Sequence, residues 1–255
     1  MKDIRLGIVG LGRLGSIHAE NILNKIKGGK LIAACSLNNN ELIQIKNRVN
    51  RIKCYNDFNK MINTCQLDGV IIVSSSDQHC KHSMIALKKG LHVFCEKPLG
   101  TNLNECLKIK KLVNSQKDLI FMLGFMRRYD PSYIYLKKKV DEGLIGTPIL
   151  FRGYSVDSES LISNSIKYAK NSGGQFLDMA IHDIDLSRWI LKSEPKTIYS
   201  LGGCFAHPEF YKYNDGDNVA SLMQFNNGCM VFFLAGRTAS HGYNVETEII
   251  GTKAT

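Results

Sequence analysis

Two stretches of the chain hold side chains whose types and spacing suit acid–base chemistry. The first, Gly90-Leu91-His92-Val93-Phe94-Cys95-Glu96-Lys97-Pro98-Leu99, reads as a buried strand from Leu91 to Cys95 that meets one charged pair and is stopped by a proline. Ligands of an open α/β sheet sit beyond the carboxyl ends of its strands, so Lys97 would project a compact cation into that crevice. The alternative is a surface turn with a solvated lysine. In the second stretch, residues 173–189, Asp178, His182, Asp185 and Trp189 fall within roughly 60° of one another at about 100° per helical residue. Leu177, Met179, Ile181, Ile184, Leu186 and Ile190 cover most of the remaining circumference. A helix apolar nearly all round is buried, so this polar stripe must be paired internally or face a cavity. Asp178 and His182, at i and i+4, suit a carboxylate that orients an imidazole acting as general base. The same pair in a core would be structural. Asp183 and Arg188 lie off the stripe and read as structural.

These groups need elements to place them. Ile4 to Val9 is an apolar strand entering Gly10-Leu11-Gly12-Arg13-Leu14-Gly15, and a helical stretch follows to about Lys27. Strand, G-x-G-x-x-G turn, helix and the strand Leu31 to Cys35 complete a βαβ unit. In such a unit the glycines let a pyrophosphate approach the backbone at a helix N-terminus, with Gly10, Gly12, Arg13 and Leu14 at the dinucleotide. An acidic residue about 20 positions further on ordinarily receives the ribose hydroxyls. Here Ser36 stands there, and no carboxylate comes before Glu41. Ser36 suits either a ribose hydroxyl or a 2′-phosphate, and no arginine follows to hold the phosphate, so the residues leave NAD and NADP both open.

Asp57 to Cys65 reads as a helix. Gly69 to Val73 reads as a strand ending in the polar run Ser74 to His79, and Lys81 to Lys89 as a helix leading into the strand before Lys97. Asn102 to Ser115 is helical, and Leu119 to Leu123 is a strand that closes a first domain at residues 1–123. From residue 124 the alternation weakens. A helix from Arg127 to Val140, with Pro131 near its start, precedes strands at Ile149 to Asp157, Thr197 to Ala206, Val219 to Phe225 and Met230 to Ala235, interrupted by one helix. Asn226-Asn227-Gly228 is a hairpin turn signal. The expected class is α/β. An N-terminal Rossmann doubly wound parallel sheet is joined to a C-terminal α+β domain, residues 124–255, with a mostly antiparallel open sheet.

With 44% hydrophobic and 22% charged residues, a chain of 255 residues has the composition of an ordinary water-soluble protein with room for two cores. No apolar run approaches the ~18 residues of a bilayer span, and the N-terminus lacks a basic-then-apolar leader. The expectation is a cytoplasmic protein without a membrane partner. Eight cysteines fall into no zinc-ligand spacing and read as small buried hydrophobes, with no metal expected. The net charge of +10 is spread over helix faces such as Lys137-Lys138-Lys139 rather than focused into a stripe with interleaved aromatics, which argues against nucleic acid.

Glu96-Lys97-Pro98, the glycine turn and Gly124-Phe125-Met126-Arg127-Arg128-Tyr129-Asp130, in that combination, resemble the glucose–fructose oxidoreductase / inositol dehydrogenase family, and within it the inositol 2-dehydrogenases. The resemblance runs from Ile4 to about Thr252. It implies an oxidoreductase that moves hydride from a ring CH–OH of a cyclic polyol to a nicotinamide cofactor, with NAD favoured over NADP. An open sheet with one apolar face commonly finds a partner subunit, so a homo-oligomer is expected. The resemblance makes Lys97, Asp178 and His182 catalytic and sets Ser74, His79, Glu96 and Lys97 beside the cofactor with Ser36. It assigns Arg127, Asp157 and Tyr243 to the polyol pocket, where Asp185 of the stripe would join them. Val156-Asp157-Ser158 and Glu246 stand where similar sequences carry an arginine, so two cations near the pocket are missing. Family members usually continue past Ile249-Ile250-Gly251-Thr252-Lys253 with further strands, so the second domain reads as incomplete at Thr255. A sugar or aldose substrate, or a dinucleotide-binding protein or fragment without catalysis, are the competing readings. The dehydrogenase reading expects Lys97 and His182 to flank one carbon.

Overall fold

A computed structural model describes residues 3–255. These divide into two compact units that meet in sequence at Gly124 and Phe125.

The first unit is a six-stranded parallel sheet. Its strands are β1 (Ile4–Val9), β2 (Gly29–Cys35), β3 (Lys53–Tyr55), β4 (Gly69–Ile72), β5 (His92–Glu96) and β6 (Phe121–Gly124), in the order β3-β2-β1-β4-β5-β6. Helices α1 (Arg13–Asn24), α2 (Asn39–Arg48), α3 (Phe58–Thr64), α4 (His79–Lys88) and α5 (Leu103–Ser115) connect them. The strands are apolar on both faces because both faces are covered. Ile8 and Val9 are adjacent and buried yet belong to different clusters, Ile8 with Ile22, Leu31 and Ala34, Val9 with Met61, Ile72 and Cys95. The strand period of two sorts them to opposite sides. The strand order reverses between β1 and β4, which is where such a sheet opens its ligand crevice.

Side chains of Asn38, Asp57 and Asn102 cap α2, α3 and α5 by accepting the N–H groups of Asn40, Lys60 and Glu105. The sequence gives no bounds for α2 or β3. The helix buries only Ile45 and the strand has three residues, so neither writes a strong apolar period. The first helix ends at Asn24, short of Lys27, as the chain turns toward Gly28 at φ +81°.

The second unit begins with a single 3-10 turn, Met126–Tyr129. Pro131 then opens α6 (Pro131–Asp141) at the position where its missing N–H costs nothing, and Asp130 caps it by accepting from the Ser132 N–H at 2.8 Å. The expected helix from Arg127 is therefore broken at Pro131. Strands β7 (Pro148–Ser158), β8 (Pro195–Gly203), β9 (Asn218–Phe225), β10 (Met230–Ala239) and β11 (Asn244–Gly251) form one sheet in the order β11-β7-β10-β9-β8. All pairs are antiparallel except β7 with β10.

Two helices, not the expected one, separate β7 from β8: α7 (Ile162–Ser172) and α8 (Ile181–Leu191). The first is rich in Ser and Asn and has no strong apolar run. The core of this unit lies between α8, through Leu186 and Ile190, and one sheet face, through Phe151, Val219, Phe225, Val231 and Phe233. β10 runs four residues beyond its expected end at Ala235, and that extension carries Arg237. No helix among the described residues is long and apolar enough to cross a membrane.

Candidate active site

In the first unit the glycine turn has the shape a pyrophosphate requires. Gly10 sits at φ +87°, and a Cβ there would lie 2.3 Å from the Val73 carbonyl oxygen. At Gly15 a Cβ would stand 2.0 Å from the Gly10 carbonyl oxygen, whereas at Gly12 it would meet nothing within 4 Å. Gly12 thus faces open space at the head of α1, which has no side-chain cap and no acidic residue in its first turn. Backbone N–H groups and the positive helix end remain for an anion. Two substitutions separate shape from ligand. Gly12→Val is expected to leave the denaturation midpoint nearly unchanged and to abolish NAD⁺ binding in a titration. Gly15→Val is expected to destabilise the fold by more than about 2 kcal/mol, because backbone must move.

Lys97 is the first residue after β5, half-buried, and joined to Pro98 by a cis peptide bond. Its neighbours fix the segment on both sides. Glu96, 8% exposed, bonds His18 Nε2 on α1 at 2.8 Å, and its other carboxylate oxygen accepts the Lys97 N–H at 3.2 Å. His79, 2% exposed, directs Nδ1 at Pro98 O (2.6 Å) and Nε2 at Ser74 O (2.8 Å). The His79 ring therefore lies between the segment after β4 and the segment after β5. Ser74 Oγ bonds His82 Nδ1 at 2.9 Å. Ser36 is buried and bonds Glu41. Arg13 and Leu14 are exposed at the start of α1.

Burial lowers the pKa of His82 from 6.5 to about 4, helped by the charges of Lys81 and His79. The neutral ring is the native form, so its contribution to stability is complete above the unfolded value of 6.5 and is lost as pH falls from 6.5 through 4. His82→Asn should flatten the pH dependence of unfolding in that window, by at most about 3 kcal/mol, in denaturant titrations at stepped pH.

In the second unit Asp178 and His182 occupy a helix that is not uniform. Phe176–Ala180 is a π-helical turn that leads into α8, so Asp178 lies in the π turn and His182 in the first turn of α8. Asp178 Oδ2 accepts from Arg237 Nη2 at 3.1 Å. Arg237 is 1% exposed. Its Nη1 donates to Asp215 Oδ2 at 2.8 Å and to Gly216 O at 3.0 Å, and the guanidinium lies 4.7 Å from the Phe210 ring centre. Asp215 Oδ1 accepts the Gln175 N–H at 2.6 Å, one residue before the π turn begins. Asp178 is therefore held from β10 and from the loop before β9. His182 is half-buried, its ring edge-on to Phe125 at 6.4 Å.

Of the residues expected to meet the polyol, Arg127 and Asp185 are engaged with protein groups. Arg127, 6% exposed, donates to Asp183 Oδ1 and Ser155 Oγ, each at 2.9 Å, and Ser155 donates to Asp183 Oδ2 at 2.7 Å. Burial pushes the Asp183 carboxyl up, against the pull of Arg127 and Ser155. Both oxygens of Asp185 accept from Arg128, each at 2.7 Å. The stripe residue Asp185 and the off-stripe Asp183 thus both anchor α8 to the segment after Phe125. Asp157 is half-buried near the end of β7, and Tyr243 is exposed in the link between β10 and β11.

Arg237 and Asp215 are absent from the sequence reading. The signal was present: Val231, Phe233, Ala235 and Arg237 share strand parity, all four are buried, and a buried arginine requires carboxylates.

The oxidoreductase family model with the NAD-binding Rossmann fold matches residues 4–125, and the GFO/IDH/MocA C-terminal domain matches residues 133–255. A myo-inositol 2-dehydrogenase from Thermotoga maritima is 33% identical over 252 residues, 98% of this chain and 73% of that protein. The chain belongs to the GFO/IDH/MocA oxidoreductase family. Two solved structures align with this family member over 99% of its length. Myo-inositol 2-dehydrogenase from Lactobacillus plantarum does so with a TM-score of 0.96 and 41% identity. Scyllo-inositol dehydrogenase from Lactobacillus casei, solved with NAD(H) and scyllo-inositol, does so at 0.93 and 44%. The chain spans about three quarters of these relatives, 75% of each solved chain.

Proposed function

We propose that this protein oxidises a ring CH–OH of a cyclic polyol such as myo- or scyllo-inositol with NAD. Bound NAD supplies the hydride acceptor. His182 takes the hydroxyl proton as the C–H bond breaks, and Lys97 donates a hydrogen bond to the oxygen as it passes from alkoxide to ketone. Asp178, fixed by Arg237, holds the imidazole in the proton-accepting tautomer. Asp157 and Tyr243 bind further hydroxyls. Arg127 and Asp185 shape the pocket through Asp183, Ser155 and Arg128 rather than as direct ligands. Glu96 and His79 keep Lys97 in place, with Ser74 beside them at the cofactor.

The observation that carries this reading is the joint presence of Lys97 directly after β5 and the Asp178/His182 pair at the head of α8, in a chain that aligns with an inositol dehydrogenase solved with cofactor and polyol. Self-association belongs to the same reading. One face of β8–β9 exposes Tyr199, Leu201 and Leu222, which suits a second copy. So does a cytoplasmic setting, where free cysteines stay reduced. The test is a panel of inositols and aldoses with NAD⁺ and NADP⁺, followed at the absorbance of the reduced nicotinamide. Turnover with an inositol and NAD⁺ supports the reading. Turnover with aldoses alone, or with no polyol while NAD⁺ binds, ends it.

A further inference from the structure

The end of β2 poses a question of cofactor choice. The Gly10 N–H donates to Cys35 O at 2.9 Å, so the residue after Cys35 stands beside the first glycine of the turn. This place ordinarily belongs to an acid that accepts hydrogen bonds from the two ribose hydroxyls. Here it is Ser36, 7% exposed, and its hydroxyl is committed. It donates its hydrogen to Glu41 Oε2 at 2.5 Å and accepts the Asn38 N–H at 3.0 Å. The partner, Glu41, is half-buried in the first turn of α2. A carboxylate therefore reaches the edge of β2 from five residues further along the chain. No lysine or arginine occurs from Ser36 to Ile45.

We infer that Glu41, steadied by Ser36, is the residue that selects the cofactor, and that it selects a dinucleotide whose adenosine ribose carries free hydroxyls. The inference rests on the NAD-binding reading of the glycine turn. The chemistry has two sides. A carboxylate accepts hydrogen bonds from a diol, which keeps NAD in place. A 2′-phosphate at the same spot would face that carboxylate with no cation on the segment to offset it, which is the repulsive element that makes discrimination steep. At the start of α2 the Asn38 side chain already takes the Asn40 N–H.

The test is titration calorimetry of the full chain with NAD⁺ and, separately, NADP⁺, free of substrate. The wild-type protein is expected to bind NAD⁺ about a hundredfold more tightly than NADP⁺. Glu41→Gln keeps the side-chain volume and should cut that ratio at least tenfold, chiefly by tighter NADP⁺ binding. Ser36→Ala leaves the carboxylate in place and removes its support. It should weaken NAD⁺ binding several-fold while the preference survives, and it serves as the second reading if Glu41→Gln does not fold. An unchanged ratio in Glu41→Gln, or a preference lost in Ser36→Ala alone, overturns the assignment of Glu41 while the NAD-binding reading stands. If the wild-type chain binds neither dinucleotide, that reading fails and the inference with it.

Discussion

Replacing Lys97 by alanine is expected to lower polyol turnover by about a thousandfold or more and to change NAD⁺ affinity by less than about threefold. The asymmetry follows from where the lysine stands. What fixes its backbone is the Glu96 carboxylate on the Lys97 N–H, the His79 ring on the Pro98 carbonyl, and β5 itself. None of these needs the lysine side chain, so the segment keeps its course in the variant. The pyrophosphate site at Gly12 is built separately, from the turn after β1. Only the ammonium is lost, and with it the donor that stabilises charge developing on the substrate oxygen. Retained turnover would refute the catalytic assignment of Lys97. A comparable loss of NAD⁺ affinity would mean that its side chain builds the cofactor site instead. Steady-state rates together with a binding titration decide between them.

The second large effect is expected at Arg237. Arg237→Met keeps much of the volume but takes the guanidinium away from two carboxylates, Asp215 at 2% side-chain exposure and Asp178 at 23%. Removing one member of a buried ionic cluster costs about 3–5 kcal/mol, because the remaining charges lose their partner without regaining water. Chemical denaturation at pH 7 should show that loss. Adding Asp215→Asn to Arg237→Met should restore about 1–2 kcal/mol, since one buried charge is gone. A variant within about 1 kcal/mol of wild type at pH 7 would show that the cluster is not held together by this arginine. Activity should fall more than stability alone explains, because Asp178 loses the group that fixes it.

The sequence made the parallel sheet legible because its strands are covered on both faces, and near-continuous apolar runs such as Leu91 to Cys95 have few other readings. The glycine turn was legible because its spacing is set by sterics that the structure repeats at Gly10, Gly12 and Gly15. Lys97 was legible because Pro98 fixes where β5 must stop. Features that local spacing does not carry are less legible. The π turn at Phe176–Ala180, which contains Asp178, leaves no mark in the regular α-helical period. Arg127 and Asp185 have the residue types of polyol ligands. Their partners, Asp183 and Arg128, lie 56 and 57 residues away and leave no trace in local spacing. Glu41 was seen only as the first carboxylate after Ser36, because a hydrogen bond across five residues of turn is tertiary information.

The proposed reaction needs His182 and Lys97 to act on one ring carbon. The most direct measurement is a single turnover with inositol deuterated at every ring carbon, excess enzyme and NAD⁺, with the reduced cofactor analysed by mass spectrometry. The account predicts that wild-type protein yields reduced nicotinamide carrying one deuterium. It predicts that Lys97→Ala and His182→Ala each bind NAD⁺ and yield almost none in the same interval. Reduced cofactor without deuterium, or full yield from either variant, would contradict it.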